Sequence, residues 1–169
     1  MSAGLGRRSG HPLIAGAHAR QIPLDAHEGS RTEQLRRYEQ AAGDAARGDV
    51  ASRNDFAARM FPWLIDTRNL MLAIEHIRRE GPKAPGPNGI RTEELSGSEC
   101  IQAARVLAEA LKTDRYRSGP TREVRIPKVS GEGHRTLQLL NAEDKIVHRA
   151  LLQAISPFVD PQFYDRSYG

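Results

Sequence analysis

At 169 residues the chain has the length for one modest core, and its single cysteine, Cys100, rules out an internal disulfide and offers no metal cluster. Lys and Arg number 25 against 21 Asp and Glu, with a pI near 9.6, a mild basic excess that suits a polyanionic partner and equally an ordinary solvated surface. Hydrophobic residues make up 38% and mean hydropathy is −0.58, so either part of the chain is unpacked or the folded part leaves apolar surface for a neighbour, and no segment has the length and apolarity of a membrane span.

The first segment, residues 1–54, is rich in Gly, Ala, Ser, Arg and Asp and lacks sustained apolar periodicity. Its one apolar run, Leu13-Ile14-Ala15-Gly16-Ala17, is broken by His18 and Arg20 and is too short for a signal core, so a cytoplasmic location is expected. A basic, mostly disordered extension is the reading for residues 1–54. Within it Arg31 to Arg47 has helix-forming composition with few apolar anchors, which fits a frayed helix or one that orders on RNA.

A helix is predicted after Asp66 or Thr67, with Leu70, Ala73, Ile74 and Ile77 on one stripe and Gly81-Pro82 ending it. Pro82, Pro85, Gly86, Pro87 and Gly89 then specify a turn-rich loop of defined path. Ser98 is the expected cap of a second helix carrying Ile101, Ala104, Ala108 and Leu111. The period then changes from helical to alternating. Glu123-Val124-Arg125-Ile126, a glycine turn at Ser130-Gly131-Glu132-Gly133, and Arg135-Thr136-Leu137-Gln138-Leu139 predict a β-hairpin. Asn141 caps a last helix with Glu143 and Asp144 in its first turn and Val147, Ala150, Leu151 and Ala154 facing a core, up to Pro157.

Two cations stand out on this pattern. Lys128 ends the first strand and Arg135 begins the second, so the turn brings a compact charge and a planar fork together, a pair suited to phosphate. Two exposed hairpin charges are the rival reading. Arg117, Arg122, Arg125, Lys145 and Arg149 are further basic positions; if the hairpin and the last helix pack together, some of them could form a stripe against nucleic-acid backbone, with solvated charges as the rival reading. Glu143 and Asp144 read as helix-start residues rather than metal ligands, and His76, His134 and His148 lack ligand spacing.

Taken in order, Lys83-Ala84-Pro85-Gly86-Pro87-Asn88-Gly89-Ile90, Tyr116-Arg117, Ile126-Pro127-Lys128, the glycine turn, Arg135, Glu143-Asp144-Lys145-Ile146-Val147, Arg149-Ala150-Leu151 and Ser167-Tyr168-Gly169 make a specific combination. Over roughly its last two thirds the chain resembles the opening of a group II intron-type reverse transcriptase or maturase. The resemblance implies an α+β fold in which residues 55–169 form the fingers portion of a right-hand polymerase, truncated before the palm. It implies that Lys128 and Arg135 contact an incoming deoxynucleotide triphosphate, and that the loop from Lys83 to Ile90 lies by the template, with Lys83 among the nucleic-acid contacts. The implied partners are a template or intron RNA, a DNA primer and a separate palm-bearing chain. No cofactor is expected on this chain alone, and Mg²⁺ belongs to the complete enzyme, whose palm aspartates would lie beyond Gly169. The chain by itself is therefore expected to be inactive, with a non-catalytic RNA-binding module or a decayed fragment as alternatives. Where the family has Arg-Pro-Leu-Gly-Ile-Pro-Thr this chain has Arg135-Thr136-Leu137-Gln138-Leu139-Leu140-Asn141, and its turn is about one residue longer than the common pattern.

Overall fold

The computed structural model describes residues 28–129 and 131–163. In chain order it contains α1 (Glu28–Arg47), α2 (Val50–Leu64), α3 (Thr67–Arg79), a 3₁₀ turn (Thr92–Glu94), α4 (Gly97–Lys112), β1 (Arg122–Pro127), β2 (His134–Leu139), α5 (Ala142–Val159) and a second 3₁₀ turn (Asp160–Gln162). The result is the expected helices-plus-hairpin architecture. No helix among the described residues is long and apolar enough to cross a membrane.

The core sits on α3, which is packed between α4 and α5. Asp66 caps α3 by accepting from the Arg68 amide, and the stripe of Leu70, Ala73, Ile74 and Ile77 is buried, as its spacing requires. A polar seam fixes the register of α3 on α5. Asn69 donates to the Ala150 carbonyl at 3.1 Å, and Gln153 donates to Asn69 Oδ1 at 2.7 Å and to its carbonyl at 3.2 Å. Each buried amide group there has a partner, which avoids the desolvation cost of leaving one unmade.

The N-terminal reading needs correction. Residues 1–27 lie outside the described residues, but from residue 28 on the extension is ordered into the helices Glu28–Arg47 and Val50–Leu64. The apolar residues α1 buries are small, Ala42 and Ala46, in place of the large apolar stripe that periodicity looks for. Long-range bonds then hold it: the Tyr38 hydroxyl donates to the Ala154 carbonyl of α5 at 2.8 Å, and Arg31 pairs with Glu75 of α3. Asp49 caps α2, which carries Phe56 into an aromatic cluster with Tyr38 at 5.2 Å and Phe158 at 5.4 Å, while Trp63 stacks on Tyr38 at 4.9 Å.

Four smaller differences are local. The cap of α4 is Ser96, whose side chain and Glu99 form a reciprocal capping box, and not Ser98. The buried face of α4 is Cys100, Ala103, Ala104 and Leu107, with Ile101, Ala108 and Leu111 at its margins, because small residues let α4 approach α3 closely. Finally, α5 runs through Pro157 to Val159, since a proline so near the end forfeits little of the helix ladder and Phe158 is held by its stack on Phe56. Leu151, expected inside, is exposed together with Leu152 and Ile155, leaving apolar surface on the outer side of α5.

If α1 and α2 belong to the folded unit, Phe56→Ala should cost about 3 kcal/mol. Denaturant unfolding followed by the fluorescence of the single tryptophan, Trp63, reads this directly. An unchanged midpoint would mean that α1 and α2 do not fold with the rest.

Candidate nucleic-acid interface

Strands β1 and β2 pair antiparallel without a bulge, from Arg122 opposite Leu139 to Pro127 opposite His134. Thr136, at a position where the family pattern has proline, takes its place in this uninterrupted ladder opposite Arg125. The Lys128 amide donates to the Gly133 carbonyl at 3.1 Å, carrying the ladder one step further, and the turn closes with Gly131 and Gly133 at φ of 81° and 80°.

Side chains alternate across a strand, so this register sorts the cations. Arg122, Val124 and Ile126 share a face with Arg135, Leu137 and Leu139, and continuing the alternation places Lys128 on that face, diagonal to Arg135. Cross-strand diagonal neighbours lie about 7–8 Å apart, within the joint reach of two long side chains. The stem of Lys128 leans over Gly133, where a side chain would have met it. Arg125 lies on the opposite face, with Glu123 at 3.7 Å. Most of the hairpin is exposed, Val129 at its tip to 98%, while Val124, Ile126 and Leu139 on the face of Arg122 and Arg135 are half-buried.

A knot of hydrogen bonds at the start of α5 holds the base of the hairpin. The Asn141 carboxamide accepts from the Asn88 amide at 3.1 Å and donates to the Pro120 carbonyl at 3.4 Å. It therefore ties the Pro-Gly loop to both ends of the hairpin. Asn88 donates its own side chain to Glu143 at 2.9 Å, and Asp144 accepts from the Tyr116 hydroxyl at 2.5 Å and the Gly119 amide at 3.2 Å. Burial, and then the Asp144 carboxylate, push the Tyr116 phenol well above its ordinary pKa, so it stays a donor. Gly86 packs so tightly on the Leu140–Asn141 peptide that a Cβ would lie 2.5 Å from the Leu140 carbonyl oxygen.

The other basic positions have different occupations. Lys145, expected among the nucleic-acid contacts, is buried and donates to the carbonyls of Ala84 at 2.5 Å and Pro82 at 3.3 Å; desolvation lowers its pKa. Lys83 turns its ammonium back onto the carbonyls of Ile77 and Arg78 at the end of α3, which suits a helix C-terminus. Arg122 donates to the Pro85 carbonyl at 2.8 Å, Arg149 to Gln153 at 3.1 Å, and Arg117 to the carbonyls of Asp114 and Tyr116. Of the eight cations singled out in the sequence, the structure thus brings Lys128, Arg135 and Arg122 onto one hairpin face, and the rest lie elsewhere.

Glu143 and Asp144 are engaged in this knot, and among the described residues no group of three or more His, Cys, Asp and Glu could hold a metal ion. The described residues therefore do not fit a Mg²⁺ site. Cys100 is buried, and burial raises its thiol pKa, with Arg78 Nη1 at 3.5 Å from the sulfur. It packs as a small core residue.

No family model matches the chain. Protein YkfC of Escherichia coli (strain K12) is 30% identical to it over 107 residues, 63% of this chain and 26% of that protein. The putative COX1/OXI3 intron 2 protein of Saccharomyces cerevisiae is 28% identical over 112 residues, 66% of this chain and 12% of that protein. The chain therefore spans about a quarter and about an eighth of the length of these curated relatives, and its homology to an intron protein is distant and partial.

Gly86→Ala tests the knot. The added methyl meets backbone that cannot step aside, so a loss of about 1–3 kcal/mol and faster amide exchange at Asn88 are expected. Stability equal to the parent would show that the loop does not seat on α5.

Proposed function

We propose that this chain is the fingers segment of a group II intron-like reverse transcriptase, an RNA-directed DNA polymerase, and that it contacts template RNA and the phosphates of an incoming deoxynucleotide triphosphate. The observation that carries this reading is the hairpin register, which sets Lys128 and Arg135 on one exposed face. The partial similarity to an intron protein supports it. A guanidinium and an ammonium at the end of a projecting hairpin form an open clamp for phosphate oxygens, and neither side chain is needed to hold the fold.

Phosphoryl transfer also needs groups that activate the primer hydroxyl and bear the charge on the leaving oxygens. No cluster of carboxylates able to do so exists among the described residues, so the hairpin's part is to bind and orient, with the reacting centre supplied by other polypeptide. Purified alone, the chain should extend no primer.

Binding of a labelled single-stranded RNA, followed by anisotropy over a range of salt, tests the reading. Lys128→Ala with Arg135→Ala should weaken binding about tenfold or more and flatten the dependence of log affinity on log salt by about one to two, the signature of lost phosphate contacts. Both substitutions are on exposed side chains, so unfolding midpoints should hold. Affinity and salt slope matching the parent chain would overturn the assignment.

A further inference from the structure

A second basic feature lies outside the hairpin, at the end of α4. The chain leaves that helix through paired bonds from the Asp114 amide to the Leu111 carbonyl (3.3 Å) and from the Arg115 amide to the Ala110 carbonyl (2.8 Å), a Schellman arrangement. Asp114 holds the left-handed conformation, φ 52°, that such a cap usually gives to glycine, and among the described residues it is the one non-glycine with positive φ. The turn folds residues 115–117 back beside the last turns of α4. Between them opens a cleft of about 570 Å³ whose lining includes Val106, Ala110, Tyr116, Arg105, Arg115 and Arg117.

The chemistry of this cleft is mixed in a particular way. Val106, Ala110 and Tyr116 contribute an apolar lining, and Tyr116 is fixed because its hydroxyl is bonded to Asp144. Three guanidinium groups surround it, two of them near a carboxylate: Glu109 lies 3.8 Å from Arg115 and Asp114 3.7 Å from Arg117. Arg117 is turned onto backbone carbonyls, while Arg105 makes no hydrogen bond or ion pair with any described residue. Arg105 therefore leaves the cleft with a net positive charge that a bound anion would neutralise. Apolar lining and a guanidinium rim together match a flat aromatic group bearing a phosphate, because every nucleobase has a face that can stack on Tyr or Arg while its phosphodiester meets the cations.

We propose that this cleft binds one nucleotide of a single-stranded nucleic acid, its base against Val106, Ala110 and Tyr116 and its phosphate on Arg105, Arg115 and Arg117. The proposal extends the RNA-contacting reading above to a second surface. Through the bond of Tyr116 to Asp144, that surface is joined to the knot at the base of the hairpin. A strand seated in the cleft and one gripped by the hairpin would thus rest on the same rigid support.

The test is titration of the ¹⁵N-labelled full chain with the trinucleotides rU₃ and dT₃, read as amide shifts. Saturable shifts at Val106, Ala110 and Tyr116 are expected, with Arg105→Gln plus Arg117→Gln weakening them at least fivefold at an unchanged unfolding midpoint. Lys128→Ala plus Arg135→Ala should leave the cleft shifts in place, which separates this proposal from the hairpin assignment: cleft shifts without hairpin binding would sustain the former and remove the latter. Preference for rU₃ assigns the cleft to RNA, and equal response to the two assigns it to either strand type. Shifts confined to the hairpin, indifference to the arginine substitutions, or tighter occupation of the cleft by a short acidic peptide with an aromatic anchor would each overturn it.

Discussion

The Asn141 carboxamide joins segments that are 21 and 53 residues away in sequence, and the placement of the hairpin depends on it. Its oxygen holds the Pro-Gly loop through the Asn88 amide, and its nitrogen holds the approach to β1 through the Pro120 carbonyl. At the same residue β2 has just ended and α5 begins. Glu143, Asp144 and Lys145, the next residues of the helix, each take hold of one of the same segments. Charged side chains seldom sit this deep unless engaged by partners, and here their bonds give a two-stranded hairpin a firm base. An isolated two-stranded hairpin is marginally stable in water, so such a base is what allows it to project.

Projection has a functional consequence. Because the strands pack on no helix to any extent along their length, Arg122, Lys128 and Arg135 remain exposed on one face, with half-buried Val124, Ile126 and Leu139 and exposed Leu137 between them. A flexible cation on a loop loses conformational entropy when it meets a phosphate, whereas one on a paired strand has already lost the backbone part. The helical body supplies the counterweight: α3 locked to α5 by Asn69 and Gln153, and α1 with α2 closing the far side through Tyr38 and Phe56.

Much of this was legible in the sequence wherever the physics is local. The stripe of α3, its Asp66 cap and both strands follow from periods of 3.6 and 2 that neighbouring residues set for themselves. The pairing of Lys128 with Arg135 on one face follows from register alone. What failed was non-local. Asn141 read as a helix cap, yet its side chain makes no capping bond and spends itself on distant partners. Lys145 read as a surface cation, and nothing near it in sequence signals that two loop carbonyls would bury its ammonium. Similarly α1 passed for part of a disordered extension, because Ala42 and Ala46 give little hydrophobic signal although packing makes them core. For α4 the signal was present and misplaced by two residues: Ser96-Gly97-Ser98-Glu99 is itself a capping box.

The claim that Asn141 fixes the direction of the hairpin can be measured as a distance distribution between spin labels at Val129 and Val50, both well exposed, with buried Cys100 out of reach of the reagent. A single narrow distribution in the parent chain that broadens in Asn141→Ala is the expected result. A distribution already broad in the parent, or equally narrow in both, would contradict it.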